Sequence, residues 1–199
     1  MFRQFWLLSV ETARLARENV PMSSIRFRAL VPNETPRVGE IDRTEEVRTG
    51  YRVEETRLIR MAVVWDSPPW YEQGEEHSIP QMVHCLDEVL SLNGTTLGAF
   101  ADDRLVGVAA LRPCLTETTA QLALLHVSNG YRRQGIATRL LDQVEQLALE
   151  SGARELYVSA TPSGSAVGFY TSRGFTLTPT PHPELLELEP DDIHMVKPL

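Results

Sequence analysis

Arg132, Arg133 and Gly135 stand between a mostly apolar run, AQLALLHVS (120–128), and a strongly helical stretch, GIATRLLDQVEQLALESG (135–152). Ile136, Leu140, Leu141, Val144, Leu147 and Ala148 form one apolar stripe of that helix, and its first turn carries no acidic residue. The first backbone N–H groups of a helix have no intrahelical partner and carry partial positive charge. A glycine there lets a ligand approach the backbone closely. Two arginines add charge. The combination suits an anion, above all a phosphate group. Two common phosphate signatures are absent: the chain has no GxxxxGK[ST] and no GxGxxG. Taken alone, the arginines read equally well as solvated loop cations and Gly135 as a turn residue.

A second stretch narrows the choice. Arg132-Arg133-Gln134-Gly135-Ile136-Ala137 resembles the Q/R-x-x-G-x-G/A motif of the GNAT acetyltransferase superfamily, set between the right strand and the right helix. Downstream, SAVGFYTSRGF (165–175) resembles that superfamily's second signature, a small residue, an aromatic-Tyr pair and then Gly-Phe. The likeness covers residues 95–178 by motif and spacing, and the ends by order of elements. It implies an α/β (α+β) fold: a mixed central β-sheet with splayed parallel strands, flanked by helices. AQLALLHVS and ARELYVSAT (153–161) would be the splayed pair. It also implies acetyl-CoA, or another acyl-CoA, as co-substrate. By the same resemblance, the pyrophosphate would lie on the amides of Arg133, Gln134, Gly135, Ile136, Ala137 and Thr138. Pantetheine and thioester would run along Leu125, His126 and Val127, with the Val127 N–H polarising the thioester carbonyl. A further cofactor contact falls at Ser163, where the family usually has Asn. Tyr170 matches the family tyrosine that donates to the sulfur, so Tyr170 and Val127 are the expected catalytic residues.

The expected reaction is attack of a neutral amine on a thioester. An alkyl amine has a pKa of about 10.4, so it must lose a proton near neutral pH. The leaving thiolate, at about 8.5 by analogy with cysteine, gains from a proton donor. A phenol at about 10 gives its proton up uphill by ~2 kcal/mol, so help from Tyr170 is modest unless its pKa falls. Gln121 stands on the fourth core strand where some relatives carry a carboxylate. His126, Glu117, His84 and a water chain remain as candidate bases. Trp65, Trp70, Tyr71, Glu72, Glu75 and Glu76 form an aromatic-acidic cluster. Aromatic faces and carboxylates suit a cationic amine, so Trp70, Tyr71 and Glu72 are the expected substrate contacts. The cluster also reads as a solvated loop anchored by its aromatics. Glu184, Glu187, Glu189, Asp191 and Asp192 read as a solvated connection.

The elements that position these residues follow from pattern. SIRFRALV (24–31) reads as a strand, and PRVGEIDRTEEV (36–47) as a weak helix with Thr35 as cap and Pro36 first. Residues 51–65 read as extended and 66–78 as a loop. IPQMVHCLDEVLSLNG (79–94) is helical, with Met82, Cys85, Leu86, Val89 and Leu90 on one face. TTLGAFADDRLVGVAALRP reads as a hairpin turning at Asp102-Asp103. SGSAVGFYTSRG reads as a short helix, FTLTPT as a strand, HPELLELEPDD as a connecting loop and IHMVKPL as a terminal strand.

Composition bounds the rest. The chain has 199 residues, 42% hydrophobic and 23% charged, in the range of an ordinary globular domain rather than a disordered chain. The net charge of −8 opposes general nucleic-acid binding, which needs clustered cations. No apolar run approaches the length of a membrane span. Cys85 and Cys114 show no metal-ligand spacing with histidines. They read as buried thiols in a reducing cytoplasm, and a disulfide between them stays open. Residues 1–21 read either as a short amphipathic helical extension of the domain or as an upstream extension, with the domain proper at 22–199. The expected function is transfer of an acetyl group to a primary amine, more a small molecule than a protein. A protein or peptide acceptor, a non-catalytic acyl-CoA-binding module and an interaction protein that binds no CoA are the alternatives. The expected partner is a small-molecule amine, with no nucleic acid and no membrane; a homodimer is the assembly allowed for, and the cytoplasm the expected compartment.

Overall fold

The computed structural model describes residues 24–74 and 76–199. The extension expected at residues 1–21, and Glu75 of the acidic loop, lie outside the described residues. Among the described residues nine strands run in chain order: β1 Ile25–Ala29, β2 Glu45–Glu54, β3 Arg57–Ser67, β4 Thr95–Ala101, β5 Arg104–Arg112, β6 Thr119–Val127, β7 Glu155–Ala160, β8 Thr176–Leu177 and β9 Ile193–Pro198. A 3-10 helix covers Pro32–Glu40. The α-helices are α1 Ile79–Ser91, α2 Ile136–Glu150, α3 Gly164–Ser172 and α4 Pro183–Leu188.

Seven strands form one sheet in the order β1-β4-β5-β6-β7-β9-β8. Every neighbouring pair is antiparallel except β6 and β7. This is the mixed α/β architecture expected from the sequence. Two apolar layers cover the sheet. On one face Ile136, Leu140, Leu141 and Val144 of α2 and Val167 of α3 pack on Val106, Ala109, Leu122 and Leu156. On the other, Leu86 and Val89 of α1 and Val38 of the 3-10 helix pack on Phe100, Leu105, Val108 and Leu124. The 3.6-residue spacing of each helical stripe produces that burial. Among the described residues no helix is long and apolar enough to cross a membrane.

The first third departs from the sequence reading. The expected helix at 36–47 starts earlier, at Pro32, and ends at Glu40. Thr35 is not its cap: its hydroxyl donates to the Pro32 carbonyl at 3.1 Å and to Asp87 at 2.8 Å, tying the turn to α1. From Glu45 the chain is extended, because β2 pairs with β3 from Glu45–Ser67 to Glu54–Arg57. Cross-strand pairing outweighs the weak helical propensity of the Glu-rich segment. Residues 51–65 are therefore two strands and a reversal, not one. The turn at Glu55-Thr56 carries neither Gly nor Asn, and Glu55 itself takes the positive φ of 54°. The loop expected at 182–192 contains α4, and the strand expected at 175–180 shrinks to Thr176–Leu177. Both cysteines are free thiols; Cys114 is exposed rather than buried.

The β2–β3 hairpin is a sheet of its own, laid as a strap from the end of β6 to the end of β7. Near one end Glu45 pairs with Arg132, just past β6, at 2.9 Å. Further along, the Tyr51 N–H donates to the Pro162 carbonyl at 3.0 Å, and Gly50 bridges Ser163. The approach is close: a Cβ on Gly164 would stand 2.9 Å from the Thr49 Cβ. Gly164→Val is expected to lift the strap, lowering stability by about 1–3 kcal/mol. Thermal melting with limited proteolysis of the 45–67 hairpin reads both effects.

Candidate active site

The site begins where two strands stop pairing. β6 and β7 are paired at Thr119–Glu155, Ala120–Leu156 and Gln121–Tyr157, and not beyond. β6 stays bonded to β5 as far as Val127, and β7 to β9 as far as Ala160. A wedge therefore opens between Leu122–Val127 and Val158–Ala160. The phase of the β5–β6 ladder decides what faces it. The Ser128 N–H donates to the Val106 carbonyl at 2.9 Å. Alternate amides, those of His126 and Leu124, point the same way, toward β5. Those of Leu125 and Val127 therefore point into the wedge, where β7 no longer accepts. The Val127 carbonyl is taken by Arg132 Nε at 3.0 Å; its N–H is not.

The loop after β6 places a second set of amides at the wedge mouth. Arg132 is a latch rather than a ligand. Its guanidinium is spent on the Val127 carbonyl, on Glu45 at 2.9 Å and on the Arg43 carbonyl at 3.0 Å. Arg133 is exposed, with a left-handed φ of 59°. Gly135 is the N-cap of α2 at φ 86°, a conformation that favours glycine. Ile136, buried at 1% exposure, pins the helix start to the core. The Arg139 N–H bonds back to the Gly135 carbonyl at 3.0 Å. Among the described residues, the amides of Arg133, Gln134, Gly135, Ile136, Ala137 and Thr138 have no acceptor. They form a concave donor surface of the kind that holds phosphate oxygens. The Gln134 side chain turns away, to the Gly130 carbonyl. Ser163 is committed elsewhere. Its hydroxyl accepts the Ala166 N–H at 3.1 Å as the cap of α3 and lies 3.0 Å from the Ser165 hydroxyl. A side-chain cofactor contact there competes with that cap.

Tyr170 projects from α3 between Phe169 and Phe175, with ring centroids 5.4 and 5.3 Å away. It is only 6% exposed. Burial raises its pKa well above the ordinary phenol value, and the Asp192 charge adds to the rise. The phenol thus keeps its proton across the working pH range.

Asp192 is the residue that the sequence reading missed. The tail acids do not form a uniformly solvated connection. Glu184, Glu187 and Asp191 are exposed, but Glu189 and Asp192 turn inward. Burial, then the Glu189 and Asp191 charges, push Asp192 up to about 7. Burial also raises Glu189, partly offset by a hydrogen bond with Ser159. The signal was positional. Asp192 immediately precedes β9, whose Ile193 pairs with Ala160 at the end of β7. A residue there is carried to the wedge end of the sheet.

The other base candidates fare differently. His126 is half-buried, and burial with the Arg43 and Arg132 charges pushes it down to about 3. It stays neutral and is too weak a base for an ammonium proton. Glu117 and His84 are exposed, and Glu117 sits before β6, at the end opposite Val127. Gln121 is buried where the strands part. Of the expected substrate contacts, Tyr71 and Glu72 are exposed and Trp70 is buried. Trp70 stands edge-on to His126 at 4.9 Å, and the Arg43 guanidinium lies 4.6 Å over its ring. The aromatic face expected to receive a cation already carries one.

Splayed parallel strands with unpaired amides at their mouth define the class, an acyltransferase-type α/β domain. Residues 59–175 match the acetyltransferase (GNAT) family, and the chain belongs to that family. It is 34% identical to human N-acetyltransferase 8 over 116 residues, 55% of this chain and 51% of that protein. The chain thus spans about half the length of that curated relative. In fold it resembles nourseothricin acetyltransferase, with a TM-score of 0.67 at 19% identity over 88% of this chain and 98% of that one. It also resembles PaiA N-acetyltransferase from Thermoplasma acidophilum in complex with coenzyme A. There the TM-score is 0.58 at 21% identity, over 88% and 99% of the two chains.

The Asp192 environment has a stability signature. Its folded pKa, about 7, lies above the ordinary value of 3.8. The folded state therefore binds the proton more tightly, and stability falls as pH rises from about 4 through 7. Asp192→Asn is expected to leave Tm near the wild-type value at pH 4 and to raise it at pH 8. Melting curves across that range check the sign; a variant less stable at pH 8 contradicts the buried-carboxylate account.

Proposed function

We propose that this protein transfers the acetyl group of acetyl-CoA to the primary amine of a small molecule, by direct attack in a ternary complex. The observation that carries this reading is the donor set around one wedge: the amides of residues 133–138 at its mouth and those of Leu125 and Val127 along its wall. Family membership supports acetyl transfer, and the coenzyme A held by the Thermoplasma relative supports the donor. Among the described residues no group of His, Cys, Asp and Glu converges as a metal site needs.

The residues present fit the carrier. Acetyl-CoA supplies the acetyl group as a thioester. The amides at the start of α2 hold its phosphate oxygens without cost in reorganisation, since they are already unpaired. The Val127 N–H lies where it can stabilise negative charge on the carbonyl oxygen. The acceptor nitrogen bonds to the carbonyl carbon as the C–S bond breaks. Asp192, poised near neutrality, takes the ammonium proton. Tyr170 keeps its proton and directs it at the departing sulfur, which leaves as a thiolate and takes its own proton from solvent. Burial makes full transfer from Tyr170 costlier than in water, so its contribution is a hydrogen bond to the thiolate.

A small acceptor is favoured by how the α1 face is covered. The 66–78 loop closes on itself through the Tyr71 N–H to His77 carbonyl bond, 2.9 Å, and the Ile79 N–H to Tyr71 carbonyl bond, 2.8 Å. It tucks Trp70 against His126.

Acetyl-CoA at about 100 times its Kd should stabilise the protein by ~2.7 kcal/mol. Gly135→Asp should remove that gain, by placing a carboxylate in the donor surface; Asp tolerates left-handed backbone. Calorimetry and melting read both. Tyr170→Phe should lower kcat more than it raises the acetyl-CoA KM. The opposite split makes Tyr170 a binding residue only.

A further inference from the structure

Arg43 is a half-buried cation that meets no anion among the described residues. Among the described residues it makes no ion pair, and its Nη1 is buried without a hydrogen-bond partner. The carboxylates nearest in sequence are committed elsewhere. Asp42 accepts from the Thr44 N–H at 3.0 Å and from the Thr44 hydroxyl at 2.6 Å. Glu45 is held by Arg132. The guanidinium lies instead over the Trp70 ring. Trp70 is 8% exposed, and its Nε1 is a second buried donor without an acceptor. Such groups are rare in folded proteins, because each leaves a desolvation cost unrecovered. Two together, both donors, one of them charged, call for an acceptor that the described residues do not provide.

We propose that Arg43 and Trp70 recognise a carboxylate on the acceptor, so that the substrates are amino acids or close derivatives carrying both an amine and a free carboxylate. This rests on the acetyltransferase reading above and narrows it. The placement fits. Trp70 contacts His126, and His126 stands between the two β6 residues whose amides face the wedge. A carboxylate held here lies beside the reacting strand. Guanidinium and indole N–H are both donors with no acceptor capacity, and a guanidinium meets a carboxylate with two parallel bonds. The burial that lowers the Arg43 pKa also strengthens its attraction for an anion, since few waters screen it. Phosphate oxygens of the carrier are the other source of such an anion, and the test separates them.

The experiment is thiol release with acetyl-CoA over the standard L-amino acids and their carboxamides. The amides keep amine and side chain and lack the charge. Wild-type protein should favour the acids by at least about tenfold in kcat/KM. Arg43→Gln should erase that preference, and Trp70→Phe should reduce it. Acetyl-CoA affinity, measured by calorimetry, should change less than about twofold in both variants. Equal use of acids and amides by the wild type overturns the proposal, as does an equal loss of both in Arg43→Gln. Weakened acetyl-CoA binding in that variant reassigns the cation to the carrier and overturns it too. No turnover of any acid also overturns it; acetyl-CoA binding then decides separately whether the acetyltransferase reading stands. If Arg43→Gln does not fold, Trp70→Phe carries the same comparison.

Discussion

The structure depends on a ladder that ends early. Three residue pairs join β6 to β7, after which each strand bonds only to its outer neighbour. Unpaired strand edges inside a protein are costly, and chains rarely leave them open. Here the opening is held from three sides. The outer strands β5 and β9 keep β6 and β7 from closing. The starts of α2 and α3 stand beyond the two strand ends. The β2–β3 hairpin ties those ends to each other through Arg132–Glu45 and Tyr51–Pro162. A wedge with fixed walls presents its free amides in one geometry, and electrostatic stabilisation of a reacting carbonyl requires that fixity.

Charge is sorted around this wedge in a way that the total of −8 conceals. Arg132 looked like a ligand-binding cation and is structural: all three of its contacts organise the strap and the strand end. What remains for an anion at the mouth is backbone, supplemented by the exposed Arg133. Behind it, Arg43 stands on the α1 face with no counterion among the described residues, while Glu189 and Asp192 gather near the end of β7. A cation-lined side and a carboxylate-lined side suit an acceptor with charge of both signs. The structural arginine and the unpaired one differ by eighty-nine positions in sequence and by one hydrogen bond in space, from Arg132 Nη2 to the Arg43 carbonyl.

The parts of this arrangement that were legible in the sequence are those set by local rules. A buried apolar strand, a glycine and an amphipathic helix in succession predict an amide surface wherever they occur, and Ile136 through Ala148 gave the period. α1 was equally plain, from the single apolar face of Met82, Cys85, Leu86, Val89 and Leu90. The hairpin was not, because its reversal uses Glu55 in a left-handed conformation where the usual signal is Gly or Asn. Arg43 lies in a short irregular segment between the 3-10 helix and β2, and nothing nearby marks it. Its meaning comes from what does not pair with it, and pairing is a tertiary fact. Asp192 was hidden among exposed carboxylates of the same composition. Only the register of β9 against β7 distinguishes it from Asp191, its exposed neighbour.

The coupling of Asp192 to Tyr170 bears on how a phenol with a raised pKa could serve as a donor. Two causes raise it, burial and the Asp192 charge. Burial is permanent. The charge is not, because Asp192 titrates near neutrality. In the proposed reaction Asp192 accepts the proton of the attacking amine, and its negative charge disappears. The part of the Tyr170 shift that the charge causes disappears with it. The phenol becomes a stronger acid at the stage when negative charge is collecting on the sulfur. Base and hydrogen-bond donor would then be linked through space: arrival of the proton on Asp192 strengthens the hydrogen bond from Tyr170 to the sulfur. A base in bulk solvent could not exert that effect, since a charge several ångströms away in water is screened. The same reasoning explains why the base need not lie on β6 beside the thioester, where Gln121 is found. In the proposed reaction a carboxylate on the neighbouring strand end serves, provided that it shares the low-dielectric environment of the tyrosine.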